Sequence, residues 1–388
     1  MSGKKSKYLF GLGVLLLILS CKEASSEDKN THQTGTSAEI SYADGFSITH
    51  FKDHTLLEVT SAFPGSDVRY PYVLVDRTLS RKQKEDIQRI YTHTIIETPI
   101  QSIVVTSTTH IPSLEMLGVE KTLTGFPNLD YVSSEKTRAL IRQGNVTELG
   151  QNESLNTEVA IELDPDVVVG FGVDGQNKSL NSLEKAGISV LYNGDWVEKD
   201  PLGKAEWIKF FGVLYDQETK ADSIFNEIVH QYESTKALVA NVALKPTVLS
   251  GAMFKDVWYL PHGDSWPAKL IADAGGNYLW SESKGTGSIA LSIESVLEKG
   301  HTADFWIAPA QYSSYSKLEN DHAIYASFEA FQNKKVYTFA TKKGETGGVL
   351  YYELAPNRPD LVLKDIVHYL HPTLLPDYTP YFFTPLAD

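Results

Sequence analysis

The 388-residue chain has a single cysteine, Cys21. One thiol excludes an internal disulfide, a cysteine-ligated metal cluster and a thiol nucleophile after position 21, so the fold must rest on its apolar core. Basic residues are also scarce: 35 Lys and Arg stand against 49 Asp and Glu, a formal net charge of −14. That balance argues against a nucleic acid partner, whose phosphates need basic surface. The apolar run from Tyr8 to Leu19 is shorter than the ~20 residues that span a bilayer. Enzymatic signatures are missing as well. No G-x-S-x-G or H-E-x-x-H occurs, and "GFGVDG" from Gly170 mimics the glycine spacing of a dinucleotide fingerprint, but the acid such a site needs about twenty residues on is unconvincing. The best catalytic set the chain offers, Ser107 or Ser250 with His110 or His262 and Asp264, has no motif behind it. The chain is therefore expected to catalyse nothing.

What is present begins with a leader. Lys4, Lys5 and Lys7 precede the apolar run and Ser20 precedes Cys21, the pattern of a secretory signal peptide over residues 1–20. "ILSC" resembles a lipobox, which implies cleavage before Cys21, a lipid on that cysteine and a bilayer as partner. Residues 21–39 are polar and aperiodic and read as a tether. Its acids resemble the surface-export signal of some bacterial lipoproteins, so the periplasmic side of a membrane and cell-surface display are both open. From Ile40 to Val75 apolar and polar residues alternate around turns such as Pro64-Gly65-Ser66. This predicts short antiparallel strands in an N-terminal extension over 40–97.

After Pro99 short buried-type strands, such as "SIVVTS" from Ser102 and "DVVVGF" from Asp166, are separated by helical stretches. That order predicts an α/β lobe with a parallel sheet over 98–216. Residues 217–243 contain no Pro or Gly and carry apolar residues at helical spacing, predicting one long helix over Gln217–Val242, about 39 Å at 1.5 Å per residue. Beyond it the strand–helix order restarts, predicting a second α/β lobe and tail over 244–388. The expected fold class is α/β, two Rossmann-like lobes with parallel sheets joined by one long α-helix, plus the N-terminal β-strands.

The two lobes echo each other. "LNTEVAIELDPDVVVGF" from Leu155 parallels "LSIESVLEKGHTADFWIAP" from Leu291, with Glu158 and Glu294 in the same slot near a helix start, where the helix dipole favours a carboxylate. Glu162, Asp164 and Asp166 find no counterpart in that alignment and read as a solvated helix end. The arrangement resembles the helical-backbone class of solute-binding lipoproteins of ABC importers for iron–siderophores, haem or vitamin B12. The resemblance spans roughly Gln101 to Pro372 and implies a permease and its ATPase as partners, with a TonB-dependent outer-membrane receptor upstream. It also implies that Glu158 and Glu294 dock on the permease. The chain departs from the family in its N-terminal strands and in the acid-rich "ELDPD".

In open α/β sheets, ligands sit where loops converge at the carboxyl ends of strands. In the first lobe those loops carry His110, Asn128, Phe171 and Trp196, and in the second Trp258, Tyr259, His262, Trp266, Tyr312 and Tyr351. So aromatic a set suits a large flat or greasy ligand held by stacking and a few polar anchors. An iron(III)–siderophore chelate is the first expectation, with cobalamin or haem as alternative. Two histidines in cleft loops are too few for a metal-ion site, so no metal ligand is assigned. A free metal-ion binder and a scavenging surface lipoprotein without a permease are the remaining alternatives.

Overall fold

The computed structural model describes residues 34–388, except 92, 153 and 173–176. The leader, the lipidation candidate Cys21 and most of the tether lie outside the described residues. Among the described residues no helix is long and apolar enough to cross a membrane.

The extension builds a five-stranded sheet whose strands (Thr36–Ser37, Phe46–His50, Thr55–Val59, Tyr70–Asp76 and Thr94–Thr98) lie in chain order. Its first three pairings are antiparallel, as expected. The fourth, to a strand beyond the Ile40–Val75 stretch expected to be antiparallel, is parallel: helix Arg81–Ile90 makes the crossover that two parallel neighbours require. That helix starts at a Ser80–Gln83 capping box but buries only Ile87, so it carries too narrow an apolar stripe to stand out in the sequence.

The extension is locked to the first lobe by two buried acids. The Glu206 carboxylate accepts the backbone N–H groups of Ser41, Tyr42 and Ala43 at 2.9, 2.7 and 2.9 Å, and Lys209 Nζ lies 3.0 Å away. Glu198 accepts from Gly45 N–H at 2.9 Å and from the Trp207 indole at 3.0 Å. Each acid thus exchanges water for a set of fixed donors, the condition under which a buried carboxylate is tolerated.

The two lobes share one strand order. Val190–Tyr192, Val167–Gly170, Ile103–Val105 and Leu123–Phe126 lie side by side in the first sheet, all parallel. Val336–Thr338, Phe305–Ile307, Thr247–Ser250 and Asn277–Tyr278 do the same in the second. Edge strands differ: Thr147–Glu148 extends the first sheet in parallel, whereas Thr384–Pro385 closes the second antiparallel. The second lobe also carries a three-stranded antiparallel sheet built from Ala252–Phe254, Val257–Pro261 and Ser288–Leu291.

The repeat reaches single hydrogen bonds. Asp166 sits one residue before Val167 and accepts the Gln101 N–H at 2.6 Å, while its own N–H donates to Ser102 Oγ. Asp304 sits one residue before Phe305, accepts the Thr247 N–H at 2.8 Å, and donates its N–H to Thr247 Oγ1. Asp166 also takes Arg77 Nη2 of the extension at 2.9 Å. It is therefore a clip between neighbouring strand starts, not part of a solvated helix end.

The long helix runs over Glu218–Leu238, about 32 Å at 1.5 Å per residue. It stops short of the expected Val242 because the chain turns at Val239–Val242 ahead of Pro246, which disfavours helical backbone at the residue before it. Its first half packs on Ile208–Leu214 of the first lobe through Ala221 against Gly212. Its second half is tied to the second lobe: Tyr232 donates to Asp273 at 2.7 Å and Lys236 lies 3.1 Å from the same acid.

Candidate functional site

The carboxyl ends of the two sheets face each other across a cleft. A cavity of about 360 Å³ opens there, within the ordinary range for a small-molecule site. The first lobe supplies Thr106, Ser107 and Thr108 after strand Ile103–Val105, then Phe126, Pro127, Asn128 and Tyr131 after Leu123–Phe126, with Asn152 and Phe171 beside them. The second lobe supplies Gly348, Val349 and Tyr352.

These side chains are held by their loops. The Asn128 backbone is left-handed at φ 57°, and its N–H donates to Glu148 Oε1 and Gly150 O at 2.9 and 2.8 Å. Phe171 N–H donates to Thr106 Oγ1 at 3.3 Å, joining two cavity loops.

Beside the cavity the lobes touch. A Cβ on Gly344 would stand 2.5 Å from Ser133 Cα, and one on Gly348 would stand 2.3 Å from Tyr131 O, so this approach admits only glycine. Thr346 Oγ1 donates to Asp130 O at 2.7 Å, and Arg142 pairs with Glu345. Helix Leu350–Leu354 follows, and its Glu353 carboxylate accepts the N–H groups of Ser133 and Ser134. Burial, reinforced by the nearby Glu115, pushes Glu353 up to about 7 despite those two donors. On the far side of this helix a more polar cavity of about 550 Å³ holds Glu115, Lys342 and Lys343.

Of the ligand residues expected from the sequence, the cavity contains Asn128 and Phe171. Trp258 is core: fully buried, it donates to Ser250 O at 3.1 Å and packs on Trp306, Tyr325 and Phe328. Tyr351 is buried between Phe339, at 4.3 Å, and Trp266, at 6.1 Å. Trp266 is half-buried between the lobes, with Lys204 Nζ 5.6 Å from its ring. His110 is buried against Phe211 with neither ring nitrogen hydrogen-bonded, and burial holds its pKa down at about 4. Trp196 and Tyr259 are exposed but outside the cavity lining. Tyr312 is engaged with Asp321 at 2.7 Å, and His262 stacks under Gly285. Among the described residues no three His, Cys, Asp or Glu side chains converge as a metal set.

The sequence reading missed Tyr131 and Tyr352, both exposed and both on the cavity. Tyr352 could have been found from "YYEL": adjacent helical residues point about 100° apart, so one tyrosine of the pair had to face away from the core that buries the other.

Glu158 and Glu294 occupy the same position, the second residue of helices Thr157–Glu162 and Ile293–Gly300, after N-caps Asn156 and Ser292. Both are exposed. The backbone N–H of Glu294 and the Ser292 hydroxyl hold its carboxyl below the usual range.

Residues 103–342 match the family model described as periplasmic binding protein. The chain belongs to that family. An uncharacterized lipoprotein of Methanocaldococcus jannaschii is 24% identical over 299 residues, 74% of this chain and 69% of the relative. Three solved structures share the fold. A possible iron-binding periplasmic solute-binding protein from Staphylococcus epidermidis superposes with TM-score 0.56 at 19% identity, over 71% of this chain and 100% of that one. A periplasmic haem-binding protein of Vibrio cholerae gives 0.54 at 20%, over 68% and 99%. The triscatecholate siderophore-binding protein of Bacillus subtilis gives 0.53 at 15%, over 71% and 94%.

Proposed function

We propose that this family member is the lipid-anchored solute-binding component of an ABC importer, without catalysis of its own. It captures an iron(III)–siderophore-type chelate between its lobes and delivers it to a membrane permease and ATPase. The observation that carries the reading is the interlobe cavity of about 360 Å³, lined by aromatic rings from both lobes together with hydroxyls and amides of the first. Rings offer broad apolar contact to a chelate's rim, and the hydroxyls and amides orient its oxygens. The names of the iron, haem and siderophore binders that share its fold point the same way, and the lipoprotein relative agrees with an anchor at Cys21. Docking is assigned to Glu158 and Glu294, one exposed carboxylate per lobe in matching positions. Such a spacing lets a permease read the relative placement of the lobes through charge complementarity.

The test is titration of the folded chain with iron(III) chelates, haemin and cyanocobalamin, followed by tyrosine and tryptophan fluorescence. A saturable one-to-one response to an iron chelate is expected. A response to haemin or cyanocobalamin alone moves the assignment to those ligands, and silence with every ligand overturns it.

A further inference from the structure

Resting on that reading of the cleft, we infer that the cavity selects an electroneutral chelate, of the tris-hydroxamate kind, over an anionic one. Its polar lining consists of three hydroxyl residues, Thr106, Ser107 and Thr108, and two amides, Asn128 and Asn152, besides the tyrosines. None of the described lining residues is an acid or a base. The undescribed positions next to them in the chain, Glu153 and residues 173–176, include no base either.

Of the cations close by, Arg138, Arg142 and Lys342 are committed to other partners, and Lys343 lines the other cavity. Arg138 is buried, its Nη1 donating to Leu129 O at 2.7 Å and its Nε 4.0 Å from Glu345. Arg142 takes the same carboxylate. Lys342 donates to Pro380 O at 2.8 Å, and both Lys342 and Lys343 line the other cavity.

Charge decides what such a lining can hold. Three singly charged hydroxamates cancel iron(III), whereas three doubly charged catecholates leave a trianion. A trianion entering this cavity would shed its hydration with no cation to replace the water, while facing a chain of formal net charge −14. A neutral chelate gives up far less hydration. Its carbonyl oxygens can accept from the hydroxyls and amides while its hydrocarbon arms lie on the rings.

The experiment compares the iron(III) complexes of a neutral trihydroxamate, ferrichrome, and a trianionic tris-catecholate, enterobactin, by fluorescence titration at fixed ionic strength. The neutral complex is expected to bind at least about 100-fold more tightly. Equal or tighter binding of the trianion overturns the charge selection while leaving chelate capture standing. Failure of both, together with every other iron chelate tried, overturns capture itself. Tyr352→Arg, which places a base in the cavity wall, should raise trianion affinity at least about tenfold. No gain in that variant, with its fold intact by circular dichroism, also counts against charge as the selecting property.

Discussion

The Glu353 carboxylate accepts the backbone N–H of Ser133, in the opposite lobe, at 2.6 Å. A second bond from Ser134 N–H at 2.9 Å completes the contact, and Ser134 and Thr137 donate their hydroxyls to Glu115. Two acids thus cap one helix start, Glu353 from the second lobe and Glu115 from the first. Burial, then Glu115, raise Glu353 from 4.5 to about 7. A raised acid holds its proton more tightly folded than unfolded, so its contribution to stability is full below pH 4.5 and is lost as pH rises through about 7. Glu353→Gln should flatten that slope, the difference from wild type changing by on the order of 2 kcal/mol across the window. Thermal unfolding of both proteins from pH 4.5 to 8 measures it, and parallel curves would contradict the coupling.

His110 should show the opposite sign. Burial lowers it from 6.5 to about 4, so the unfolded chain takes up the proton first. Its contribution is present above pH 6.5 and is lost as pH falls through about 4. His110→Leu is expected to remove on the order of 2 kcal/mol of acid sensitivity between those limits. Because the residue lies outside the cavity lining, chelate affinity at neutral pH should stay within about twofold. Urea unfolding at pH 4.5 and 7 reads the first effect and fluorescence titration the second.

Glu206 governs the extension. It is fully buried, and its loss would strand three backbone donors and leave Lys209 only Asp222 and the Glu39 carbonyl as partners. Glu206→Ala should cost about 3 kcal/mol and expose the segment around Ser41 to protease before the lobes unfold. Limited proteolysis with mass mapping tests this. Cleavage that begins in the lobes instead would show that the extension is held by its sheet packing alone.

How much of this was legible follows from what a linear pattern encodes. Strand–helix alternation and the Leu155/Leu291 echo were visible because each lobe repeats the same buried strands and helix starts. Asp166 was misread since its partner Gln101 lies far back in the chain. Yet "PDVVV" and "ADFWI" both place an aspartate just before a buried strand, and aligning them on the strand would have paired Asp166 with Asp304. Trp258 and Tyr259 could not both be ligand residues, because neighbours on a strand face opposite sides; the inward face took Trp258. The lobe contact made by Gly344, Gly348 and Glu353 leaves almost no local signal, as it depends on Ser133 arriving from the other lobe.

The matched acids give the last prediction. Glu158 and Glu294 are exposed and lie outside the cavity lining, each in the first turn of its helix. Their removal should cost the fold little, since each side chain is exposed and acts only on its own helix start. Glu158→Ala together with Glu294→Ala should therefore leave chelate affinity unchanged while cutting chelate uptake by cells at least about tenfold. Each single variant should show a smaller defect, because one carboxylate still engages the permease. Charge reversal to lysine should be worse than alanine, as it adds repulsion to the lost attraction. Radiolabelled iron uptake in cells, beside fluorescence titration of the purified variants, separates the two roles. A fall in affinity in the double alanine variant would move these acids into ligand binding, and undiminished uptake would remove them from docking.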